Sequence, residues 1–282
     1  KADIHSRLAI PLDSFDEYNI YDESNVNLIE WHQNLIRTMK KKFESGKNFF
    51  LYLHYEKIHT GIMNSVLKIF TNYSKEYFEK KKTNEERYDK LFCEAENYLQ
   101  KILDEVKFQD LLKDTLVLII SDHGISVGEK FGERAYGAFC YDYTIRTFGA
   151  LVSPDFSCKE ITQQIRHVDF LPTILDYLHI EIDDNYQVMD GQSLLPIING
   201  KKISEKIAYT ETANPLSDNK PPKKPNTSSV RTSEWKLIFN EYNGTKELYD
   251  LRNDHNEEKN LINTGLEIEE KLWNELIKLK KF

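Results

Sequence analysis

The segment Thr115-Leu-Val-Leu-Ile-Ile-Ser-Asp-His-Gly124 decides the fold class of this chain. Its continuous apolar run is typical of a strand that is buried on both faces, as in a parallel sheet. A second run, residues 49–54, has the same character and also ends in a polar residue. Residues 62–113, between the two runs, show mainly helical periodicity. Strands that alternate with helices predict an α/β fold, and we expect a three-layer αβα sandwich around a mostly parallel or mixed sheet.

The C-terminal part of the chain has a different pattern. Residues 230–239 alternate between apolar and polar side chains, and Asn243-Gly244 separates them from a second alternating stretch. An Asn-Gly pair in this position predicts a β-hairpin. Residues 266–281 predict a closing amphipathic helix. We therefore expect residues 1–200 to form the α/β part and residues 201–282 to form a small antiparallel hairpin subdomain of the same fold.

Composition excludes several classes of function. The chain has 282 residues with 38 Lys and Arg against 46 Asp and Glu, a net charge of −8, which argues against a general nucleic-acid binder. No apolar stretch is long enough to span a membrane. The three cysteines form no CxxC pair, which argues against a zinc ribbon or a redox dithiol. No signal segment is visible at the start of the sequence, which favours a cytoplasmic protein over a secreted one.

The polar ends of the two apolar runs hold the candidate site residues. Ligands bind at the carboxyl ends of parallel strands, and this rule points to Asp122, His123 and His59. Asp and His are good ligands for divalent cations, although two adjacent ligands do not complete a site and Asp122 could instead cap the next turn. A neutral His59 could bind an anion, donate a proton or complete a metal shell, or it could be a loop residue bonded to the backbone.

A glycine-spaced loop with two cationic side chains follows the segment from Thr115 to Gly124. It covers residues 128–137 and contains Lys130 and Arg134. Cations and backbone amides in such a loop could hold a sulfate or phosphate ester, although an ordinary polar loop has the same composition.

Six motifs resemble, in the same order, those of the sulfatase family in the alkaline-phosphatase superfamily, and together they cover about residues 48–262. They are Phe50-Leu-Tyr-Leu-His-Tyr-Glu-Lys-Ile-His59, the segment from Thr115 to Gly124, Gly128-Glu-Lys followed by Tyr141-Asp-Tyr-Thr-Ile-Arg146, His167-Val-Asp-Phe-Leu-Pro-Thr-Ile-Leu175, Asp190-Gly-Gln-Ser-Leu-Leu-Pro196, and residues 230–238 with Glu247-Leu-Tyr-Asp-Leu251.

The resemblance implies a metal-dependent hydrolase that converts R–O–SO₃⁻ to R–OH and sulfate. Asp122 and His123 would bind a divalent cation, with Ca²⁺ as the implied ion and Mg²⁺ or Mn²⁺ as alternatives. His59 would contact the sulfuryl oxygens or assist the leaving group, and Lys130 would neutralise developing negative charge. The expected partner is an anionic sulfate- or phosphate-ester substrate.

Two features of the family pattern are not found in the given sequence. These are a C/S-x-P-x-R segment that carries the nucleophile and an N-terminal strand with two further acidic metal ligands. We expect an upstream segment to supply them, and the chain alone to be inactive. Two alternatives stay open: a phosphoric- or phosphonate-ester hydrolase or phosphoethanolamine transferase of the same superfamily, and a non-catalytic homologue that binds an anion or a partner.

Overall fold

A computed structural model of the chain describes residues 27–65, 75–131, 139–183, 188–213 and 224–280, together with Asp16. Its elements are, in chain order, α1 (Leu28–Glu44), α2 (Lys57–Ser65), α3 (Lys75–Glu79), α4 (Lys81–Phe108), β1 (Val117–Ile120), α5 (Asp142–Ile145), β2 (Gly149–Val152), α6 (Phe170–Tyr177), α7 (Leu195–Ile198), β3 (Ala208–Thr212), β4 (Thr227–Arg231), β5 (Trp235–Asn240), β6 (Thr245–Asp250) and α8 (Glu267–Lys280). Short 3₁₀ turns lie at Leu112–Asp114 and His167–Asp169.

The chain divides into two compact units. The first contains the described residues up to His59 and residues 90–114, and the second contains the described residues of 60–89 and those from Thr115 onward. The predicted domain boundary at residue 200 stays a prediction. Within the described residues, no helix is long and apolar enough to cross a membrane.

The first unit is a helical core built on α1. This helix begins at Asn27, whose side chain accepts a hydrogen bond from the Glu30 amide and so satisfies one of the free amides of the first turn. Its buried stripe includes Leu28 and Ile36, which pack with Tyr98 of α4. The apolar spacing predicted this helix, and the prediction is confirmed.

Residues 49–54 do not form the predicted strand. Leu51 and Leu53 pack against the helical core, whereas Phe50 and Tyr52 are 75% and 52% exposed. Among the described residues, the two sheets consist of β1 to β6, and no strand is assigned to this run. The strand prediction is therefore wrong, although the alternation of side chains that motivated it is present.

The second unit contains two sheets, and every strand pair among the described residues is antiparallel. The first sheet pairs β1 with β2, so that Ile120 lies opposite Gly149 at the carboxyl end of β1. A parallel pair would need a crossover of a dozen or more residues, usually a helix, that returns the chain to the start of the sheet. The described part of the β1–β2 connection holds only the four-residue helix α5, so the expected mostly parallel sheet is not seen in these residues.

The second sheet is the meander β3-β4-β5-β6, with α8 packed on one face. The buried contact consists of Val230, Leu237 and Leu248 from the sheet with Leu272 and Leu276 from the helix. The β5–β6 turn contains Asn243 and Gly244, and Gly244 has a φ of 72° that favours glycine. The predicted hairpin turn and closing helix are both confirmed, and the sheet has four strands instead of a single hairpin.

Asp169 joins two of the six motifs to each other. Its buried carboxylate accepts hydrogen bonds from the Arg166 amide at 2.8 Å and the Gln192 amide at 3.0 Å. The Thr173 hydroxyl accepts a further bond from the Leu194 amide at 2.9 Å. The motif at residues 190–196 is therefore fastened to the start of α6, which gives both segments a structural role.

Gly191 lies where no side chain fits. A Cβ atom at this position would stand 1.8 Å from the carbonyl oxygen of Val168, which is far inside van der Waals contact. The backbones of the two motifs approach each other this closely only because residue 191 is glycine.

We predict that Gly191→Ala destabilises the chain by about 3 kcal/mol, because the backbone must move to admit the methyl group. Gly200→Ala is the matched control, since nothing lies within 4 Å of its Cβ position and only its positive φ of 78° is strained. That variant should lose about 1 kcal/mol. Urea unfolding of both variants measures the difference, and equal losses would contradict the prediction.

Candidate active site

Asp122 and His123 lie just beyond the end of β1 and present an oxygen atom and a nitrogen atom side by side. The Asp122 side chain is 79% exposed and that of His123 is 38% exposed. The backbone amide of His123 donates to Asp122 Oδ1 at 2.9 Å, which leaves Oδ2 directed towards the imidazole. His123 Nε2 lies 3.6 Å from Asp122 Oδ2.

The tautomer of His123 is set by its own backbone. Nδ1 lies 2.7 Å from the carbonyl oxygen of Gly124, and a carbonyl can only accept, so Nδ1 carries the proton. In the neutral ring the lone pair is then on Nε2, the nitrogen beside Asp122. A hydrogen bond of this kind commonly orients a metal-ligating histidine.

This donor pair fits a divalent cation. Ligand–cation distances of about 2.0–2.4 Å allow one ion to touch two atoms that are 3.6 Å apart. A carboxylate oxygen with an imidazole nitrogen suits Mn²⁺ or Zn²⁺ as well as harder cations. Among the described residues no group of three or more His, Cys, Asp and Glu side chains could hold a metal ion, so the pair is a partial site.

The loop that follows is packed from several sides. The carboxylate of Glu129 accepts hydrogen bonds from the amides of Val127 and Gly128, at 2.8 and 3.1 Å. The side-chain amide of Asn84 donates to the Val127 carbonyl, and the Tyr77 hydroxyl donates to the Ser126 carbonyl. Residues 125–128 are buried as a result. The sequence analysis had not singled out Glu129, Asn84 or Tyr77.

Lys130 points towards the C-terminal sheet. Its ammonium donates to the main-chain carbonyl of Glu257 and lies 5.0 Å from the ring centre of Tyr141 and 5.7 Å from that of Tyr249. These contacts give Lys130 a tethering function that the sequence analysis did not anticipate. Its predicted catalytic role stays a prediction. Arg134, the second cation of this loop, lies outside the described residues.

His59 is an exposed residue of α2 in the first compact unit. Asp122, His123 and Lys130 belong to the second unit. The predicted contact of His59 with a substrate stays a prediction.

A buried ion network lies between α5 and the C-terminal sheet. Lys236 is fully buried, and its ammonium lies 2.9 Å from Asp142 Oδ1 and 2.8 Å from Glu257 Oε1. Arg231 binds Asp142 through Nε and Nη2, with the closest contact at 2.8 Å. The second oxygen of Glu257 accepts a hydrogen bond from the Asp142 amide at 2.6 Å. Two cations and two carboxylates thus balance within the protein.

The network separates the pKa values of its two acids. Burial raises the pKa of Asp142, but the charge of Lys236 and the hydrogen bonds of Arg231 outweigh it and lower the value to about 2. Burial raises the pKa of Glu257, and the neighbouring Asp142 raises it further despite the opposing charge of Lys236. The sequence analysis missed these residues. A lysine inside the otherwise apolar run of β5 was the signal that could have found them.

The profiles of two known families match this chain. The sulfatase profile matches residues 12–180, more than half of the chain. The chain belongs to the sulfatase family. The profile of the C-terminal part of N-sulphoglucosamine sulphohydrolase matches residues 138–282, which include both the ion network and the meander. The sequence resemblance is thereby confirmed.

Curated relatives of this sulfatase-family chain are sulfatases. The uncharacterized sulfatase YidJ of Escherichia coli is 29% identical over 154 residues, which are 53% of this chain and 28% of that protein. The choline-sulfatase of Rhizobium meliloti is 24% identical over 165 residues, 57% of this chain and 30% of that protein. The matched part thus spans less than a third of the length of each of these two relatives. Both relatives are named as sulfatases, which are hydrolases that act on sulfate esters.

Solved structures show the same fold. The sulfatase-family protein yidJ of Bacteroides fragilis has a TM-score of 0.64 at 18% identity, with 89% of this chain and 57% of that chain covered. A protein solved in complex with its substrate D-glucosamine-2-N,6-O-disulfate has a TM-score of 0.55 at 21% identity, with 81% of this chain and 52% of that chain covered. These likenesses establish the α/β fold of the sulfatases.

We predict that Lys236→Met costs about 3–5 kcal/mol of stability, because it leaves Asp142 and Glu257 buried beside one another without their shared cation. Lys278→Met is the matched control, since Lys278 is 71% exposed and forms only a surface pair with Glu275. It should change stability by less than about 0.5 kcal/mol. Chemical denaturation of both variants is the measurement, and a mild loss for Lys236→Met would refute the structural role of the network.

The network also predicts how acid unfolds the chain. Because the pKa of Asp142 is about 2 in the folded state and ordinarily 3.8, its contribution to stability is complete above about pH 4 and is lost as the pH falls towards about 2. The Asp142→Asn variant should lack this part of the acid dependence. Unfolding free energies measured from pH 7 down to pH 2 test this, and equally steep acid limbs for the two proteins would contradict it.

Proposed function

We propose that this chain forms the metal-motif and C-terminal part of a metal-dependent sulfate-ester hydrolase. One observation carries the proposal: in a chain of the sulfatase family, Asp122 Oδ2 and His123 Nε2 stand 3.6 Å apart on the loop that follows β1. The reaction would be the hydrolysis of R–O–SO₃⁻ to R–OH and sulfate.

Asp122 and His123 would hold the divalent cation. When bound, such an ion stabilises negative charge on the transferred group and activates the nucleophile. Ca²⁺ is the ion implied by the resemblance, and the imidazole donor makes Mn²⁺ its strongest competitor. The matched relatives and structures are longer than this chain, and we propose that further sequence of a longer protein supplies the remaining ligands and the nucleophile.

His59 and Lys130 would act on the substrate. We propose that the imidazole of His59 contacts the sulfuryl oxygens or gives a proton to the leaving alkoxide. Lys130 would offset negative charge from its position between Glu257 and the aromatic rings of Tyr141 and Tyr249. A drop in kcat without a drop in stability for Lys130→Met would support this role, and a drop in stability alone would leave Lys130 as a tether.

The finer form of the fold is also a proposal. We expect a three-layer αβα sandwich, in which additional strands extend the sheet of β1 and β2. Support comes from the size of this sheet among the described residues, since two strands alone are only marginally stable and a sheet of three or more strands is stable when its apolar face is covered.

We predict that His123→Ala lowers kcat/KM for 4-nitrophenyl sulfate at least about 100-fold in the full natural protein, because one metal ligand is lost. Removal of metal with EDTA should have the same effect on the wild type, with recovery when Mn²⁺ or Ca²⁺ is added back. His255→Ala is the control, since His255 is exposed and lies outside the proposed site. Its activity should equal that of the wild type.

Other outcomes would redirect the proposal. Faster hydrolysis of 4-nitrophenyl phosphate than of the sulfate would favour the phosphoric-ester alternative within the superfamily. An inactive full-length protein that still binds sulfate esters would favour the non-catalytic homologue. Activity that survives both EDTA and His123→Ala would overturn the metal-dependent reaction.

A further inference from the structure

The loop that carries Asp122 and His123 is attached to α5 by a short, direct contact. The amide of Gly124 donates to the Thr144 carbonyl at 2.7 Å. A Cβ atom at residue 124 would lie 2.3 Å from the carbonyl oxygen of Tyr143, so the two backbones touch without an intervening side chain. Because the Gly124 carbonyl also orients the imidazole of His123, a shift of α5 would be passed to that ring.

The position of α5 is set in turn by Asp142, its first residue. The Asp142 carboxylate is held by three groups of the C-terminal sheet, namely Nε and Nη2 of Arg231 and Nζ of Lys236, at 2.8–3.1 Å. Its amide donates to the Glu257 carboxylate. Thr144, two residues later, is 1% exposed, which leaves α5 little room to move independently.

We propose that Asp142 is a positioning residue for the metal site, acting through Thr144 and Gly124 on His123. The C-terminal sheet therefore shapes the site without contributing a ligand to it. This inference rests on the proposed function for the identity of the site, whereas the tether itself is a property of the fold. It also assigns a role to the ion network beyond stability.

A positioning role for Asp142 would account for the use of charged side chains in the ion network. Arg231 binds Asp142 through two nitrogens, which fixes the direction of the carboxylate as well as its distance. A hydrophobic contact of the same size would stabilise the sheet but would leave α5 free to rotate or slide. Tight metal binding requires ligand positions that are fixed to a fraction of an ångström. Removal of a group that supports a metal ligand commonly weakens metal binding by roughly 10–100-fold.

The test compares Asp142→Asn with a variant that is destabilised elsewhere. Leu276→Ala serves as that control, since Leu276 is fully buried between α8 and the sheet and has no part in the network. Two quantities are measured: hydrogen exchange of the Gly124 amide, which reports the bond to Thr144, and the Mn²⁺ dissociation constant by calorimetry. Both are measured under conditions where each protein is folded.

We expect Asp142→Asn to lose protection of the Gly124 amide at least about tenfold and to bind Mn²⁺ about 10–100-fold more weakly. Leu276→Ala should leave both quantities near the wild-type values. If Asp142→Asn does not fold, Arg231→Gln removes the bidentate partner, keeps the carboxylate and should shift both readouts in the same direction.

Three results would count against the inference. If the Gly124 amide keeps its wild-type protection in Asp142→Asn, the bond from Gly124 to Thr144 does not depend on the ion network. If Leu276→Ala changes both quantities as much as Asp142→Asn does, the effect comes from the loss of overall stability. Lost protection with an unchanged Mn²⁺ affinity would show that the tether does not shape the site. In all three cases the proposed function survives. A wild-type full-length protein that binds no divalent cation would instead overturn the proposed function and the positioning role together.

Discussion

The buried ammonium of Lys236 is the constraint on which the second unit depends. Removing an amine of this kind from water costs several kcal/mol, and the cost is recovered only if charged partners stand close by with good geometry. Asp142 and Glu257 are those partners, and Arg231 balances the remaining charge. Strand β5, the segment around Glu257 and helix α5 must therefore close on one another for the chain to fold.

This closure also organises the candidate site. The loop from Asp122 to Lys130 is tied to the closed structure twice, through the Gly124 amide on Thr144 and through the Lys130 ammonium on the Glu257 carbonyl. The side chains of Asp122 and His123 remain accessible at the end of β1, at 79% and 38% exposure. In the proposed function, these two attachments would hold the two proposed metal ligands in place.

Local sequence patterns predicted the elements that depend on local physics. The apolar stripe of α1, the Asn243-Gly244 turn and helix α8 were all readable, and the end of β1 directed attention to Asp122 and His123. Strand direction was not readable, and residues 49–54 were wrongly predicted to form a strand, because strand pairing depends on distant partners. The ion network was missed for the same reason: Asp142 and Lys236 are 94 residues apart, and the lysine in the apolar run of β5 indicates a buried charge but not the residue that pairs with it.

The most direct test of the proposed metal site is a crystal structure of the full natural protein soaked with Mn²⁺, with anomalous scattering recorded at the manganese edge. The predicted result is an anomalous peak within about 2.0–2.4 Å of both Asp122 Oδ2 and His123 Nε2. The contradicting result is a peak that avoids both atoms, or no peak at this position in a protein that hydrolyses sulfate esters.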